Sequence, residues 1–508
     1  MRALEHGINL PLPGTAIIPA LMVYPPQALL DKLAALLGAK GFTRDAEEMA
    51  PRLSDWRGRY HGAAAALLSP QTPDEVVEIV RACAGAGVPL VPQGGNTSMV
   101  GGATPDASGA ALIVSTRRLN RIRGVDAGAG IAVCEAGVIL ADLQARALAE
   151  GRRFPLTLGA RGSATIGGLV STNAGGTQVL RFGPMRSLVL GIEAVLPDGS
   201  LFEGLTALKK DNRGYDLKQL LVGAEGTLGI VTAASLKLVP AVGERAVAWV
   251  GLESGLAAMK LLRHLEATMG EAIESFELVP KSALDLVLEH VPGTRPPLAA
   301  PAPWNVLVEA VAPMAAPGPE PLLYEGLHSA LGIGLIGDAA IAASEAQAED
   351  FWRLRDSISE AEKKDGPAAK HDISVAVDDM ASFMSEAAAS VEARFPGTRA
   401  IAFGHLGDGN VHFNVRAPAG AGPAWLEGGG EAVSRHVHDL VTAAGGSISA
   451  EHGIGQMKTA ELERLGDPAR LHAMRAIKRA LDPGNIMNPG KLVPPPAQES
   501  LAQKAVRP

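Results

Sequence analysis

The glycine-rich stretch Pro92–Gly102, PQGGNTSMVGG, follows the strand-like run Val88–Val91. Consecutive glycines allow backbone amides to approach a phosphate closely, and the short side chains of Asn96, Thr97 and Ser98 add polar groups. The stretch therefore predicts a loop that binds a pyrophosphate, with an ordinary glycine turn as the alternative.

Two further glycine-rich regions follow. In the first, Gly159–Gly168 (GARGSATIGG) leads into Ser171–Gly176 (STNAGG), and the second is Val222–Ile230 (VGAEGTLGI). Short strand-like runs and helical segments such as Thr72–Ala86 surround them, which indicates a mixed α and β unit with a ligand held by loops. Three such loops between residues 92 and 230 are hard to explain as turns alone.

The stretch Gly332–Gly337, GIGLIG, matches the G-x-G-x-x-G pattern of dinucleotide-binding folds. That pattern requires a strand before the glycines and a helix after them. Here a helical stretch comes first and a strand-like run, Leu335–Ala343, follows. We therefore assign no nicotinamide nucleotide to this stretch.

The composition limits the classes of function. Of the 508 residues, 47% are hydrophobic and 20% are charged, which is typical of a folded chain of about two to four domains. The formal charge of −8 argues against nucleic acid as a partner. The only two cysteines, Cys83 and Cys134, are too few for an iron–sulfur cluster or a thiolate-rich zinc site. Any metal must be held by His and carboxylate groups.

The sequence predicts a protein that does not span a membrane. The apolar stretch Leu10–Pro26 contains five prolines, which break a continuous signal or spanning helix. No other charge-free apolar run approaches the ~20 residues needed to cross a bilayer. We expect a cytoplasmic location.

The stretch Phe403–Val415, FGHLGDGNVHFNV, predicts a β-hairpin with Gly407–Asn410 as its turn. In that register His405 lies directly opposite His412, where two imidazoles are close enough to share one ion. Asn414, two residues further on, faces the same side of the sheet.

A second stretch, Ser449–Gly455 (SAEHGIG), adds Glu451 and His452. Two histidines and one carboxylate, with a coordination position left open, are typical of a catalytic divalent metal site, and zinc is the first candidate. The alternative is that these histidines are hydrogen-bonded core residues.

The charged stretch Trp352–Lys370, WRLRDSISEAEKKDGPAAK, contains a third candidate cluster. Arg355 and Ser359 are spaced i, i+4, so on one helix they share a face and can bind one carboxylate. Lys370 follows after a Gly-Pro break and adds a second positive charge. Taken alone, this stretch is most simply a solvated charged helix.

The glycine loops resemble the FAD-binding domain of the vanillyl-alcohol-oxidase (PCMH-type) flavoproteins. The third of them is part of a longer matching stretch, Lys209–Ile230 (KKDNRGYDLKQLLVGAEGTLGI). More narrowly, residues 55–493 resemble the FAD-linked D-2-hydroxyacid dehydrogenases. The resemblance implies an α+β fold, with a two-subdomain FAD-binding domain at residues 55–240 and an α+β substrate and metal cap at residues 241–445. An N-terminal segment (1–54), a C-terminal segment that returns to the flavin (446–497) and a tail (498–508) complete the chain.

The resemblance also implies, position by position, which residues line the FAD site. They are Gly94, Gly95, Asn96, Thr97, Ser98, Gly102, Pro155, Ser163, Thr165, Gly167, Gly168, Asn173, Glu225 and Ile230, with Asn488 from the motif NPGK near the C-terminus.

The D-2-hydroxyglutarate dehydrogenase branch of the family implies roles for the remaining motifs. Residues that match Arg355, Ser359 and Lys370 bind the distal carboxylate of the substrate, with threonine where this chain has Ser359. The metal ligands of that branch match His405, His412 and Glu451, and its polar substrate partners match Asn414 and His452.

These matches imply FAD-dependent oxidation of a D-2-hydroxy acid, D-2-hydroxyglutarate first, to the 2-oxo acid. A divalent metal polarises the substrate, hydride passes to the flavin, and His452 accepts the hydroxyl proton. An external acceptor then takes the electrons: an electron-transfer flavoprotein, a quinone or a cytochrome. The resemblance to this family also allows a homodimer.

Three alternatives stand beside this reading. D-lactate or glycolate dehydrogenase would use the same scaffold, and a non-redox ether-lipid synthase would share the FAD domain. A flavin-containing subunit with a role only in assembly is the non-enzymatic alternative.

Overall fold

A computed structural model describes residues 24–208 and 210–495 of the chain. The first part of the expected N-terminal segment, Lys209, and the expected tail at 498–508 lie outside the described residues. Among the residues that are described, no helix is long and apolar enough to cross a membrane.

The first layer is a small sheet covered by helices. It is ordered β1-β2-β4-β3, with β2, β4 and β3 parallel. Its strands are β1 (Phe42–Thr43), β2 (Ala66–Leu68), β3 (Leu90–Gln93) and β4 (Leu112–Ser115), and its helices are α1 (Gln27–Leu37), α2 (Ala46–Met49) and α3 (Pro73–Ala86). The side chain of Thr72 caps α3, so the helix begins at Pro73, one residue later than predicted.

Both cysteines are packing residues of the first two layers. Cys83 lies on the buried face of α3, and Cys134 lies in the core of the second sheet. Burial raises the pKa of each thiol to about 12, so neither is a reactive thiolate at neutral pH.

The second layer is a five-stranded antiparallel sheet ordered β5-β6-β10-β8-β9. Its strands are β5 (Ile122–Asp126), β6 (Ile131–Glu135), β8 (Val189–Val195), β9 (Leu201–Gly204) and β10 (Ile230–Lys237), and β7 (Arg152–Arg153) pairs separately with β11 (Val239–Pro240). Its helices are α4 (Leu140–Leu148), α5 (Ile166–Thr172), α6 (Val179–Phe182), α7 (Met185–Leu188) and α8 (Lys218–Leu221).

The third unit, called the cap below, is a seven-stranded antiparallel sheet ordered β15-β12-β14-β13-β17-β18-β16. Its strands are β12 (Val242–Leu252), β13 (Ile273–Pro280), β14 (Trp304–Pro313), β15 (Asp338–Ile341), β16 (Ala368–Ser374), β17 (Arg399–His405) and β18 (Asn410–Arg416). The stretch GIGLIG lies between a helix and β15, as its sequence context predicts.

Helices cover both faces of the cap sheet. One face packs on α9 (Gly255–Met269), α11 (Glu320–Gly332), α14 (Met380–Arg394) and α15 (Gly429–Ala443), and the other packs on α10 (Lys281–His290), α12 (Glu345–Asp356) and α13 (Ile358–Lys364). Because helices sit on both faces, side chains on either side of this sheet are withdrawn from solvent.

After α16 (Thr459–Leu465) and α17 (Pro468–Leu481), the chain returns to the first layer. Met487 forms a parallel bridge with Leu90, and Asn488 N donates to Leu90 O at 2.8 Å. The C-terminal residues thus extend the first sheet beside β3.

A buried carboxylate joins the cap to the second layer. Glu274 on β13 has only 1% of its side chain exposed, and it accepts hydrogen bonds from Arg153, Arg181 and Gln178. Beside these groups, Leu180 fills the space that a side chain on Gly407 would occupy. These contacts fix α6 against the cap.

We expect Glu274→Ala to lower the free energy of unfolding by ~3–5 kcal/mol, because two guanidinium groups lose their buried counter-ion. Urea denaturation followed by tryptophan fluorescence measures this. The exposed Glu253 is the matched control, and Glu253→Ala should stay within ~0.5 kcal/mol of wild type. Equal losses in both variants would contradict a joining role for Glu274.

Candidate active site

A cleft runs along the three glycine loops. It consists of two adjoining cavities of about 80 Å³ and about 600 Å³ that share wall residues, among them Gly94, Ser98 and His452. Most of the residues expected to line the FAD site lie in the walls of this cleft. They are Gly94, Gly95, Asn96, Thr97, Ser98, Gly102, Ser163, Thr165, Gly167, Gly168, Glu225 and Ile230.

The other three expected FAD residues lie outside the cleft walls. Pro155 is buried, and Asn173 Oδ1 accepts a hydrogen bond from the Arg186 backbone at 2.8 Å. Asn488 Nδ2 donates to the carbonyl groups of Gly102 and Glu225 at 2.9 and 2.7 Å. Asn488 therefore reaches the loops that form the cleft rather than its interior.

The loops approach each other so closely that a side chain has no room. A Cβ atom on Gly95 would lie 2.0 Å from the Ser163 carbonyl oxygen. Asn96 and Glu225 both have a positive φ, 56° and 50°, which is uncommon for residues other than glycine and is often found at functional sites.

The cleft also presents polar atoms that a ligand could satisfy. Within the described part of the chain, the hydroxyl oxygens of Thr165 and Thr116 and the side-chain carbonyl of Gln93 are buried without a hydrogen-bond partner. All three residues line the cleft. Backbone that approaches closely and unsatisfied polar atoms fit the pyrophosphate and polar groups of FAD.

The metal-ligand hairpin has a different register from the predicted one. His405 pairs with Asn410, and His412 pairs with Phe403, so the turn begins one residue earlier than predicted. The prediction that His405 lies directly opposite His412 is wrong. The two side chains are diagonal neighbours on one face, and their ring centroids still lie 5.4 Å apart.

Ligand atoms of His405, His412 and Glu451, called the metal group below, all lie within 4.8 Å of one another. Burial lowers the pKa of His412 to about 3 and raises the pKa of Glu451 to about 7. The neutral imidazole of His412 can donate a lone pair to a metal, and a divalent ion would stabilise the charged form of the Glu451 carboxylate. The three side chains could therefore hold a metal.

Glu277 on β13 orients His405. Its carboxylate lies 2.6 Å from His405 Nδ1 and 2.7 Å from Arg355 Nε, and its side chain is fully buried. Burial alone would raise the pKa of Glu277, but the charges of His405 and Arg355 lower it to about 2. Burial lowers the pKa of His405, but Glu277 outweighs burial and raises it to about 9. A metal at Nε2 of His405 would therefore replace the proton there, with Glu277 holding Nδ1.

Asp372 on β16 holds the loop that carries Glu451 and His452. Its Oδ2 accepts the backbone N–H groups of both residues at 2.9 Å, and its Oδ1 accepts Asn410 Nδ2 at 2.9 Å. Burial raises the pKa of Asp372, but the groups that face it, the protonated form of His452 and the Lys458 ammonium first, outweigh burial and lower it.

His452 lies at the junction of this loop and the cleft. Its Nδ1 is 3.4 Å from Asp372 Oδ2, and about a quarter of its side chain is exposed. Burial lowers its pKa, against the opposing effect of Asp372. The ring is therefore neutral and can accept a proton at pH 7.

From the other side, Glu225 accepts the backbone N–H groups of Ile454 and Gly455 at 2.8 and 2.7 Å. Gly455 has a φ of +53°, and a Cβ atom there would lie 2.2 Å from the Val100 carbonyl oxygen. The loop Glu451–Gly455 is thus bound by one carboxylate from the cap and one from the cleft.

The residues predicted to bind a distal carboxylate do not share one helix face. A break at Ser357 separates α12 from α13, so Arg355 and Ser359 lie on different helices, and the prediction of a shared face is wrong. Arg355 is buried and Ser359 is exposed. Lys370 and Asn414 pair across β16 and β18.

Sequence reasoning missed three buried carboxylates: Asp372, Glu277 and Glu362. Each is at most 3% exposed. The sequence signal that could have found these carboxylates is an acidic residue within an otherwise apolar strand or helix face, because such a residue is rarely buried without a partner. The partners of Glu277 and Asp372 lie 38 or more residues away, so those pairs could not be derived, whereas Lys370 lies only eight residues from Glu362.

Comparison with known proteins places this geometry in a family. Residues 64–204 match the family model "FAD binding domain", and residues 243–492 match "FAD linked oxidases, C-terminal domain". The chain is 37% identical to "D-2-hydroxyglutarate dehydrogenase, mitochondrial" of Arabidopsis thaliana, over 90% of this chain and 80% of that protein. It is 35% identical to "D-2-hydroxyglutarate dehydrogenase" of Xanthomonas citri pv. viticola, over 86% of this chain and 91% of that protein.

The chain belongs to the FAD-linked D-2-hydroxyacid dehydrogenase family. It is a FAD-dependent enzyme that acts on a small 2-hydroxy acid, as the sequence motifs predict. The match to the FAD-binding domain covers the first two glycine loops.

Solved structures confirm the expected α+β, PCMH-type fold of the dehydrogenase. 4-Ethylphenol oxidase from Gulosibacter chungangensis superposes with a TM-score of 0.69 at 17% identity, over 92% of this chain and 97% of that chain. Alkyldihydroxyacetonephosphate synthase gives 0.68 at 15% identity, over 94% and 87%. At these identities the likeness concerns the fold alone, so the second match does not favour the ether-lipid synthase alternative.

We expect Glu277→Gln in the dehydrogenase to weaken metal binding by about 10–100-fold, because His405 loses the carboxylate that orients its ring. Zn²⁺ titration against a competing chelator measures this. Glu309→Gln, on the neighbouring strand β14, is the matched control and should bind Zn²⁺ like wild type. Unchanged affinity in Glu277→Gln would exclude the orienting role.

Proposed function

We propose that the enzyme oxidises D-2-hydroxyglutarate to 2-oxoglutarate with a divalent metal in the metal group. The observation that carries this proposal is the convergence of His405, His412 and Glu451 beside the FAD cleft. The names of the similar proteins, D-2-hydroxyglutarate dehydrogenases from several organisms, support the choice of substrate.

His405, His412 and Glu451 would hold the metal, and zinc suits this set of nitrogen and oxygen ligands. A metal there supplies Lewis acidity to the substrate hydroxyl and carboxylate oxygens. The set contains no thiolate, so its ligand atoms are harder donors than the cysteine sulfur atoms of a structural zinc site. Glu277 fixes His405 before substrate arrives.

Bound FAD supplies the hydride acceptor for the C2 hydrogen of the substrate. His452 is proposed as the general base that takes the hydroxyl proton. Its ring lies on the wall of both cavities, and Asp372 is close enough to stabilise the imidazolium that results. The same carboxylate binds the His452 backbone, so the ring is held at a defined position.

Arg355, Ser359 and Lys370, called the distal group below, are proposed to bind the second carboxylate of the substrate, with Asn414 as a polar partner. Arg355 donates through Nε to Glu277, which leaves its terminal N–H groups for a substrate. Charge recognition at one end of the substrate would orient the carbinol carbon at the other.

Electrons must leave the reduced flavin. The two cysteines of the chain are buried and unreactive, so an external acceptor is proposed: an electron-transfer flavoprotein, a quinone or a cytochrome. The domain boundaries, the cytoplasmic location and the homodimer stay predictions.

We expect anaerobic addition of D-2-hydroxyglutarate to bleach the flavin absorbance of the purified enzyme, because hydride transfer produces reduced flavin. The same measurement with D-lactate and glycolate ranks the alternative substrates. Flavin that stays oxidised with all three acids would defeat the proposal. Preferential bleaching by D-lactate would replace the substrate but retain the reaction.

We expect His452→Ala to lower kcat by about 10²–10⁴-fold, the usual contribution of general base catalysis. The flavin absorbance spectrum checks that the variant still binds FAD. His472→Ala, exposed on α17, is the matched control and should retain wild-type kcat. A His452→Ala variant with bound FAD and near-normal kcat would remove His452 from the mechanism.

A further inference from the structure

Glu362 on α13 is a fully buried carboxylate to which the proposed reaction gives no role. It accepts a hydrogen bond from Lys370 Nζ at 2.8 Å and two from Asn414 Nδ2, at 3.0 and 2.8 Å. Its backbone carbonyl oxygen accepts Arg416 Nη1 at 2.7 Å. The residue is therefore held in place from its main chain and its side chain.

Both partners of the Glu362 carboxylate are proposed substrate residues. A buried carboxylate is costly unless it is paired, and this one depends on the Lys370 ammonium for its counter-charge. The ammonium has three N–H groups, and Glu362 accepts one of them.

The second cation of the distal group is paired in the same way. Arg355 donates to Glu277, another fully buried carboxylate, at 2.7 Å. The two cations of the distal group and these two carboxylates together carry no net charge, and Glu277 also pairs with His405 of the metal group. A substrate carboxylate that approaches Lys370 would also approach Glu362, and like charges repel strongly in a site withdrawn from water.

We propose that Glu362 is a specificity-determining residue that neutralises Lys370 and so weakens the preference for a second substrate carboxylate. Lys370 then offers its remaining N–H groups to any polar acceptor, such as the carbonyl oxygen of an amide. The distal end of the site accepts D-2-hydroxy acids with neutral polar ends as well as dicarboxylates. This inference rests on the proposed function and widens its substrate class.

The test compares D-2-hydroxyglutarate with D-2-hydroxyvalerate, which has a methyl group in place of the distal carboxylate. Glu362→Gln keeps the size of the side chain and removes one negative charge. We expect it to lower KM for D-2-hydroxyglutarate by about tenfold through lost repulsion. KM for D-2-hydroxyvalerate should change less than about twofold, because that substrate has no distal charge.

Glu360→Gln, on the exposed face of the same helix, is the matched control and should leave both KM values unchanged. An equal change in both KM values for Glu362→Gln, or a rise for D-2-hydroxyglutarate alone, would overturn the inference. The second result would mean that Glu362 only positions Lys370.

If Glu362→Gln does not fold, wild-type enzyme provides the test through the 5-amide of D-2-hydroxyglutarate. A net cationic site should favour the carboxylate over the amide by more than about thirtyfold in kcat/KM, the lower end of the value of a buried charge pair. A smaller ratio supports the neutralised site, and a larger one overturns it. Wild-type flavin that no D-2-hydroxy acid bleaches defeats the proposed function instead.

Discussion

The loop Glu451–Gly455 is bound between two buried carboxylates, and the arrangement of the active site depends on this constraint. Asp372 of the cap accepts the N–H groups of the first two residues, and Glu225 of the cleft accepts those of the last two. Hydrogen bonds to a charged acceptor are about twice as strong as neutral ones. Glu451 and His452 are therefore held at fixed positions in the wall of the cleft where FAD binds.

The cap sheet supports this loop with a group of polar side chains on one face. Glu277, His405, His412, Asn414 and Asp372 occupy four adjacent strands, while Phe413 on the opposite face packs in the apolar core. Buried ion pairs add little net stability compared with apolar residues of the same size. Their value here is geometric, because the buried charges of Glu277 and Asp372 are each held by partners on neighbouring strands, helices or loops.

The sequence was most informative where a motif is local. Glycine spacing in Pro92–Gly102 predicts a phosphate-type loop because the ability of the backbone to approach a ligand closely is a property of the stretch itself. The hairpin at His405 was predicted with its turn one residue late, since the flanking residues permit either register and tertiary contacts decide. The helix break at Ser357 was missed because no proline or glycine marks it. Glu277 and Asp372 could not be assigned because their partners are up to 128 residues away.

The return of the chain to β3 affects how this enzyme can be made. Asn488 donates to Gly102 and Glu225, which lie 386 and 263 residues earlier, and Lys478 donates to Thr227 from α17. Loops that close over such distances form late in folding. The glycine loops around the FAD cleft therefore gain their last hydrogen bonds only after residue 488 has been synthesised and has packed beside β3.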